Sequence, residues 1–312
     1  MIDEIRTATE SFWHFLSDIA LLPLLAAIAC QLLKLGCTSR AWRNVLAAAY
    51  PDTRVRWLPI YGAYIAGVGV NSIFPARAGD VVRLTMAHRA VKNATYTTLV
   101  SSSGVLAIVD IACATILLGW AMTQGVLPSV HSLPSLPSFD FRWLFEHDTI
   151  GQLVLLAVVF GLIALMIWVS AHVEEFKDRV GQAFTILQTP SRWLRKVVLW
   201  QLADWGLRLA TIWFMLDAFG IDQSLHNVLL VQASQSLATL LPISPGGIGT
   251  EQAFLVYTLR GAAPRSALLA FSVGMRLTLT AVNVVLGFAA ILLTLRTLRI
   301  RSLPRPAEDA PG

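Results

Sequence analysis

Apolar and polar positions alternate in long blocks along this chain, not residue by residue. Continuous apolar runs occupy residues 16–35, 95–122, 150–171, 197–219 and 266–295. Each matches the roughly 20 helical residues that cross a hydrocarbon core of about 30 Å. Two further apolar segments, 58–74 and 226–241, each end at a proline. Strand-type alternation is weak, which argues against an outer-membrane barrel and for helices that satisfy their own backbone groups. The predicted class is all-α, a polytopic helical membrane protein. The first run follows an acidic start (Asp3, Glu4, Glu10, Asp18) with no basic n-region or small-residue cleavage site, so it is read as a retained helix.

Composition strengthens this picture. Hydrophobic residues make up 55% of the 312 positions and charged ones 14%, too apolar for a water-soluble surface. Mean hydropathy is +0.63. Cys30, Cys37 and Cys113 form no CxxC, and the six histidines lack metal-ligand spacing. No phosphate-loop signature or GxSxG is present, and "GVGVNS" at 67–72 lacks the preceding strand and third glycine of a dinucleotide fingerprint. No metal, cofactor or nucleic-acid partner is expected.

Charge bias sets a topology. With Arg40, Arg43, Arg54 and Arg56 cytoplasmic and the five long runs crossing, fifteen Lys/Arg fall inside and three (Arg6, Arg142, Arg265) outside, with six at membrane depth. The bias survives only if 58–92 enters the membrane and returns on the same side. A re-entrant hairpin is therefore expected there, and a second, from the opposite face, over 226–260. The localisation read from this is a multi-pass cell (inner) membrane protein with the N-terminus outside and the C-terminus cytoplasmic.

The two hairpin turns resemble each other. "FPARAGD" at 74–80 and "SPGGIGTE" at 244–251 both carry proline, glycine four residues on, then an acid. The expected organisation is one membrane domain over 1–300. Helix, hairpin and helix over about 16–124 repeat in inverted sense over about 197–295, with 150–171 linking them. Residues 127–138 read as a Pro/Ser linker and 301–312 as a disordered cytoplasmic tail. Inverted repeats with broken segments in matching positions point to a secondary transporter whose site lies near the midplane.

Broken backbone at membrane depth is tolerated only where protein or water satisfies it, so the turns imply a cavity. Free N–H groups after Gly79 and after Gly249 would present positive helix ends to a phosphate or carboxylate, and Thr250 can cap the half-helix it begins. Asp80 and Glu251 either belong to that site or only complement helix N-termini. Arg77 and Arg83, at and just beyond the first turn, suit a two-donor grip on phosphate.

The residues resemble a known family. "LLPISPGGIGTEQAFLVYTL", followed by "SALLAFSVGMRLTLTAVNVVLGF" with Arg276 and Gly287, is similar to the C-terminal signature of the lysylphosphatidylglycerol synthase transmembrane-domain family of flippase-like membrane proteins. "NSIFPARAGDVVRL" is similar to its N-terminal motif, through Asn71, Pro75, Arg77, Gly79 and Asp80. The resemblance covers about 16–300. It implies a helical domain that moves modified phospholipids or polyprenyl-linked lipids between leaflets. The Glu-Arg pair that the family carries four and three residues before Asp110 is replaced by Leu106 and Ala107. The sequence ends at 312 without the soluble aminoacyl-transferase domain of the full synthases, so no lipid-aminoacylating activity is expected.

The candidate lipid-binding residues are Asn71, Pro75, Arg77, Gly79, Asp80 and Arg83 in the first hairpin. In the second they are Pro245, Gly246, Gly247, Gly249 and Glu251, joined by Arg276 on the last helix. A charge at the centre of a membrane helix costs on the order of 2.5–3.5 kcal/mol, so each needs a partner or water. Asp204 and Arg208 stand i, i+4 and can pair. Asp110 and Arg276 either pair or flank the cavity. Residues 172–184, with Phe176, Val180 and Phe184 on one face, read as an interfacial helix. The expected function is translocation or binding of an anionic lipid. The alternatives are a lipid-modifying transferase using Glu251 or Asp80 as base, and a non-catalytic subunit of an envelope-lipid complex. Anionic membrane lipids are the expected partners, together with a lipid-modifying enzyme.

Overall fold

The computed structural model describes residues 19–74, 77–124, 174–240 and 249–301. The expected helix at 150–171, the 127–138 linker, the expected 301–312 tail apart from Arg301, which ends the last helix, and the second turn through residue 248 lie outside them. Among the described residues the elements are helices, with no strand.

Helix α1 (Leu21–Ala49) is followed by the paired arms α2 (Trp57–Ile73) and α3 (Ala78–Ala90), then α4 (Tyr96–Thr123). After α5 (Glu174–Phe184), a 3-10 turn leads into α6 (Pro190–Trp193), which runs through a π-turn at Leu194–Val198 into α7 (Leu199–Ala218). Arms α8 (Leu225–Leu240) and α9 (Thr250–Thr258) precede α10 (Arg265–Arg301). Prolines fall where a helix tolerates them: Pro23 and Pro59 lie in the first turns of α1 and α2, and Pro190 opens α6.

Among the described residues three helices are long and apolar enough to cross a membrane: Leu21–Ala49, Tyr96–Ala121 and Arg265–Thr294. The hairpin arms are shorter, at 17 and 13 residues for α2 and α3 and 16 and 9 for α8 and α9. At 1.5 Å per residue none exceeds roughly 26 Å.

α1 does not stop where its apolar run does. It continues from Leu35 to Ala49 because Ser39, Trp42, Leu46 and Ala49, three to four residues apart, keep one face buried. Trp42 Nε1 donates to Ser102 Oγ on α4 at 2.8 Å, fixing that face.

The most extensive packing joins α1 to α7, which run antiparallel. Ala20 N donates to Ala218 O at one end, and Asn44 Nδ2 donates to Lys196 O at the other. An apolar core lies at each end. One gathers Trp42, Leu46, Ile60, Leu99 and Val197; the other gathers Ala27, Met215, Leu216, Leu255 and Phe271. Between them α1 and α7 carry the polar residues Lys34, Thr38, Asp204 and Arg208.

The first hairpin is pinned by glycines. Gly67 and Gly69, two residues apart and so on nearly opposite faces of α2, face different partners. A Cβ on Gly67 would lie 2.7 Å from Arg83 Cβ on α3, and one on Gly69 would lie 2.7 Å from Gly287 Cα on α10. α2 is thus wedged between its own return arm and the last helix. α8 packs in turn against α4.

Candidate functional site

At the first turn, Arg77 adopts a left-handed conformation (φ 59°), which lets the chain reverse and start α3. Gly79 is buried, and a Cβ there would collide with Gly67 O, so this glycine serves the close approach of the two arms. Its N–H donates to Asn71 Oδ1 at 2.7 Å, and Asn71 Nδ2 donates to Asp80 Oδ1 at 3.3 Å. Asp80 also faces Arg77 Nε at 3.7 Å and Arg83 Nη2 at 3.6 Å. Arg83 reaches inward to Ser103 Oγ on α4 (3.1 Å) and lies over the Trp42 ring. Arg77 points away, with its side chain 87% exposed.

The second hairpin is built alike. Gln235 Nε2 on α8 donates to Glu251 Oε1 at the start of α9 (3.1 Å), and Arg276 Nη1 on α10 donates to Glu251 Oε2 at 2.6 Å. In both hairpins an amide on the first arm holds the acid that opens the second, and an arginine completes the contact.

Three expectations need correction. The N–H just after Gly79 is not free, because Asp80 N donates to Arg77 O at 2.9 Å; the glycines' own N–H groups are also taken, by Asn71 Oδ1 and Gln252 Oε1, each at 2.7 Å. Thr250 is not the cap. Gly249 holds that position with φ 87°, a conformation that strains a side-chain-bearing residue, and Thr250 is the first helical residue. Asp110 and Arg276 do not pair with each other. Arg276 goes to Glu251, while Asp110 Oδ1 accepts from Trp205 Nε1 on α7 at 2.9 Å. Pro75, Pro245, Gly246 and Gly247 lie outside the described residues.

Away from the turns, the interior charges converge. Asp204, 2% exposed, accepts from Thr38 Oγ1 and from Arg208 Nη2 at 3.0 Å. The Arg208 guanidinium lies 4.8 Å from the Trp205 ring centroid. Lys34 on α1 is within electrostatic reach of Asp204, Arg208 and Asp110. Lys34 is one of the six Lys/Arg that the charge count leaves at membrane depth, whereas no sequence pattern singles out Thr38 or Trp205. The indirect signal for them is a lysine and an acid embedded in apolar helices, which demands partners.

The family model described as the lysylphosphatidylglycerol synthase TM region matches residues 5–287. The chain belongs to this family. Curated proteins yield no significant match. As a member of the lysylphosphatidylglycerol synthase TM family, it is a multi-pass integral membrane protein of a group associated with lipid handling. The matched region takes in both hairpins, Asp110, Asp204, Arg208 and Arg276.

Proposed function

We propose that this protein binds an anionic lipid, a phospholipid or polyprenyl-linked lipid, and carries its headgroup between leaflets. The observation that supports this most is the matched construction of the two hairpins, Asn71–Asp80–Arg83 and Gln235–Glu251–Arg276. An arginine held by a carboxylate is a ready phosphate site, since guanidinium can exchange one planar two-oxygen partner for another. In this reading Arg276 alternates between Glu251 and the headgroup, while the exposed Arg77 makes first contact on the other side.

We read the architecture as one of inverted repeats, and the packing supports this. α1 and α7, the first helices of the two halves, run antiparallel, and the first arm of each hairpin packs against the last helix of the other half. Arms shorter than the hydrocarbon thickness fit hairpins that enter and leave on one side, with the N-terminus outside and the C-terminus cytoplasmic. A lipid-modifying enzyme of the same membrane would supply or consume the carried lipid.

The test is leaflet exchange of a fluorescent phosphatidylglycerol in liposomes holding the purified full chain, read by quenching from outside. Exchange above protein-free liposomes is expected, together with its loss in Arg276→Gln and Arg77→Gln but not in Arg265→Gln. Exchange no faster than in protein-free liposomes would overturn the reading.

A further inference from the structure

The cluster between the two apolar cores has no role in gripping the headgroup at the hairpins, yet it holds four ionisable residues from three helices. Lys34 comes from α1, Asp110 from α4, and Asp204 and Arg208 from α7. Lys34 lies roughly 15 Å along α1 from Asn44 and roughly 21 Å from Ala20, well inside both ends. Two of the four come from each half of the chain, so the cluster lies where the halves meet.

Its members are unequally satisfied. Asp204 has a hydroxyl and a guanidinium as donors. Among the described residues Asp110 has one neutral donor, the Trp205 indole, and no cation within 4 Å, and the Lys34 ammonium has neither an ion pair nor a hydrogen bond. Three buried polar atoms on the same two helices also lack partners: Arg208 Nε and Gln201 Oε1 on α7, and Gln31 Oε1 on α1. Gln31 and Gln201 are 3% and 1% exposed, so these are orphaned acceptors in the interior. Such groups at membrane depth require water, and a hydrated path to a half-satisfied carboxylate is a path for protons.

We propose that this cluster is a proton-binding site, with Asp110 as the carboxylate that takes the proton, and that it couples lipid movement to a proton gradient. The coupling rests on the transport reading above; the proton site does not. With all four groups ionised the charges cancel. When a hydronium ion on one side passes its proton to Asp110, one O–H bond breaks in the hydronium, leaving water, and one forms on the carboxyl, so that one positive charge remains on the cluster to attract an anionic headgroup. Release of that proton to water on the other side restores neutrality and frees the headgroup. The result is symport of one proton with one negative charge.

Other groups face the site. Tyr64 on α2 is within reach of Asp204, Arg208 and Thr38, and Arg83 on α3 is within reach of Tyr64. Cys37 on α1 lies near Asp204, and Cys113 on α4 near Asp110 and Arg208. Asp110 differs from the other carboxylate here in lacking a charged donor, which makes it the group whose neutral form disturbs the cluster least.

Two measurements separate the layers of this proposal. In liposomes with the voltage clamped at zero by potassium and valinomycin, a one-unit pH difference should shift the leaflet ratio of fluorescent phosphatidylglycerol by up to about tenfold, toward the alkaline side. Wild-type exchange with no response to the gradient would overturn the coupling. The second measurement needs no transport: the infrared band of a protonated carboxyl in the purified protein, followed as pH falls. Asp110→Asn should remove a band that Asp204→Asn leaves in place. Asp110→Glu should restore it at a shifted position, guarding against misfolding of the amide variant. A band lost only in Asp204→Asn, or no protonated carboxyl in wild type, would overturn the proton site. Absence of leaflet exchange alongside an intact Asp110 band would fail the transport reading while leaving the proton site standing.

Discussion

Arg276 Nη1 on α10 stands 2.6 Å from Glu251 Oε2 on α9, closing the second hairpin onto the longest helix. The side chains keep 30% and 16% of their exposure, so the pair is partly shielded, not sealed. A lone charge left in such a place is costly, whereas removing both partners relieves the cost.

Glu251→Gln and Arg276→Gln should therefore each destabilise the detergent-solubilised protein by on the order of 1 to 3 kcal/mol. That is less than a fully buried pair would lose, because residual exposure screens the charges. The double variant should be less destabilised than the sum of the singles, by thermal unfolding. Strict additivity would mean that the two charges do not interact. Asp110→Asn with Arg276→Gln should be additive, since Asp110 is held by Trp205 instead.

How much of this was legible beforehand follows from what one dimension encodes. Apolar runs located α1, α4, α7 and α10, because a helix must bury or expose a continuous apolar surface. Repeated Pro, Gly and acid marked where the return arms α3 and α9 begin. Helix rotation and reach were not legible. Asp110 and Arg276 lie on the two long helices read as ending the halves, and only the packed structure turns one toward Trp205 and the other toward Glu251. The extension of α1 to Ala49 was hidden because residues 36–49 interrupt the apolar pattern with Ser39, Arg40, Arg43 and Asn44, and only the packed structure shows them buried or half-buried beside Trp42 and Leu46. Gly79 read as an opening for a ligand, since a sequence does not distinguish a glycine that admits a ligand from one that admits a backbone.

The glycines now separate into contact sites and idle ones. Gly69→Ala and Gly287→Ala each place a Cβ 2.7 Å from the facing Cα and should cost about 1 to 3 kcal/mol. Gly79→Ala should be worse, because the obstacle is the backbone carbonyl of Gly67. Gly206→Ala in α7 meets nothing within 4 Å and should gain about 0.5 to 1 kcal/mol from helix propensity. Thermal shift assays on the four variants rank them; a stable Gly79→Ala protein would contradict the tight hairpin.

Trp205→Phe keeps the ring beneath Arg208 but removes the donor to Asp110. The loss should be about 1.5 to 3 kcal/mol, as for a hydrogen bond to a charged acceptor. Asp110→Asn in the Trp205→Phe background should cost little more than Trp205→Phe alone. Chemical denaturation of the four proteins of this cycle gives the coupling, and a value near zero would remove the indole from the Asp110 environment.

The orientation can be read from the exposed ends of the hairpins. In a chain freed of Cys30, Cys37 and Cys113, single cysteines at Asp52 and Lys92 flank the first hairpin and those at Gln223 and Arg265 flank the second. An impermeant thiol reagent should reach the first two only from the cytoplasmic side and the last two only from outside, following the basic bias of the loops. Ser39 is unsuitable as a reporter: it is fully buried, accepting from Trp57 Nε1 at 3.0 Å. A cysteine at Arg77, the exposed tip of the first hairpin, tests depth. Arms of 17 and 13 residues leave this tip within the membrane when their far ends start at the cytoplasmic face, so outside reagent should label it far more slowly than Gln223. Equal labelling of Arg77→Cys and Gln223→Cys from outside would mean that the first hairpin crosses completely and would end the re-entrant assignment.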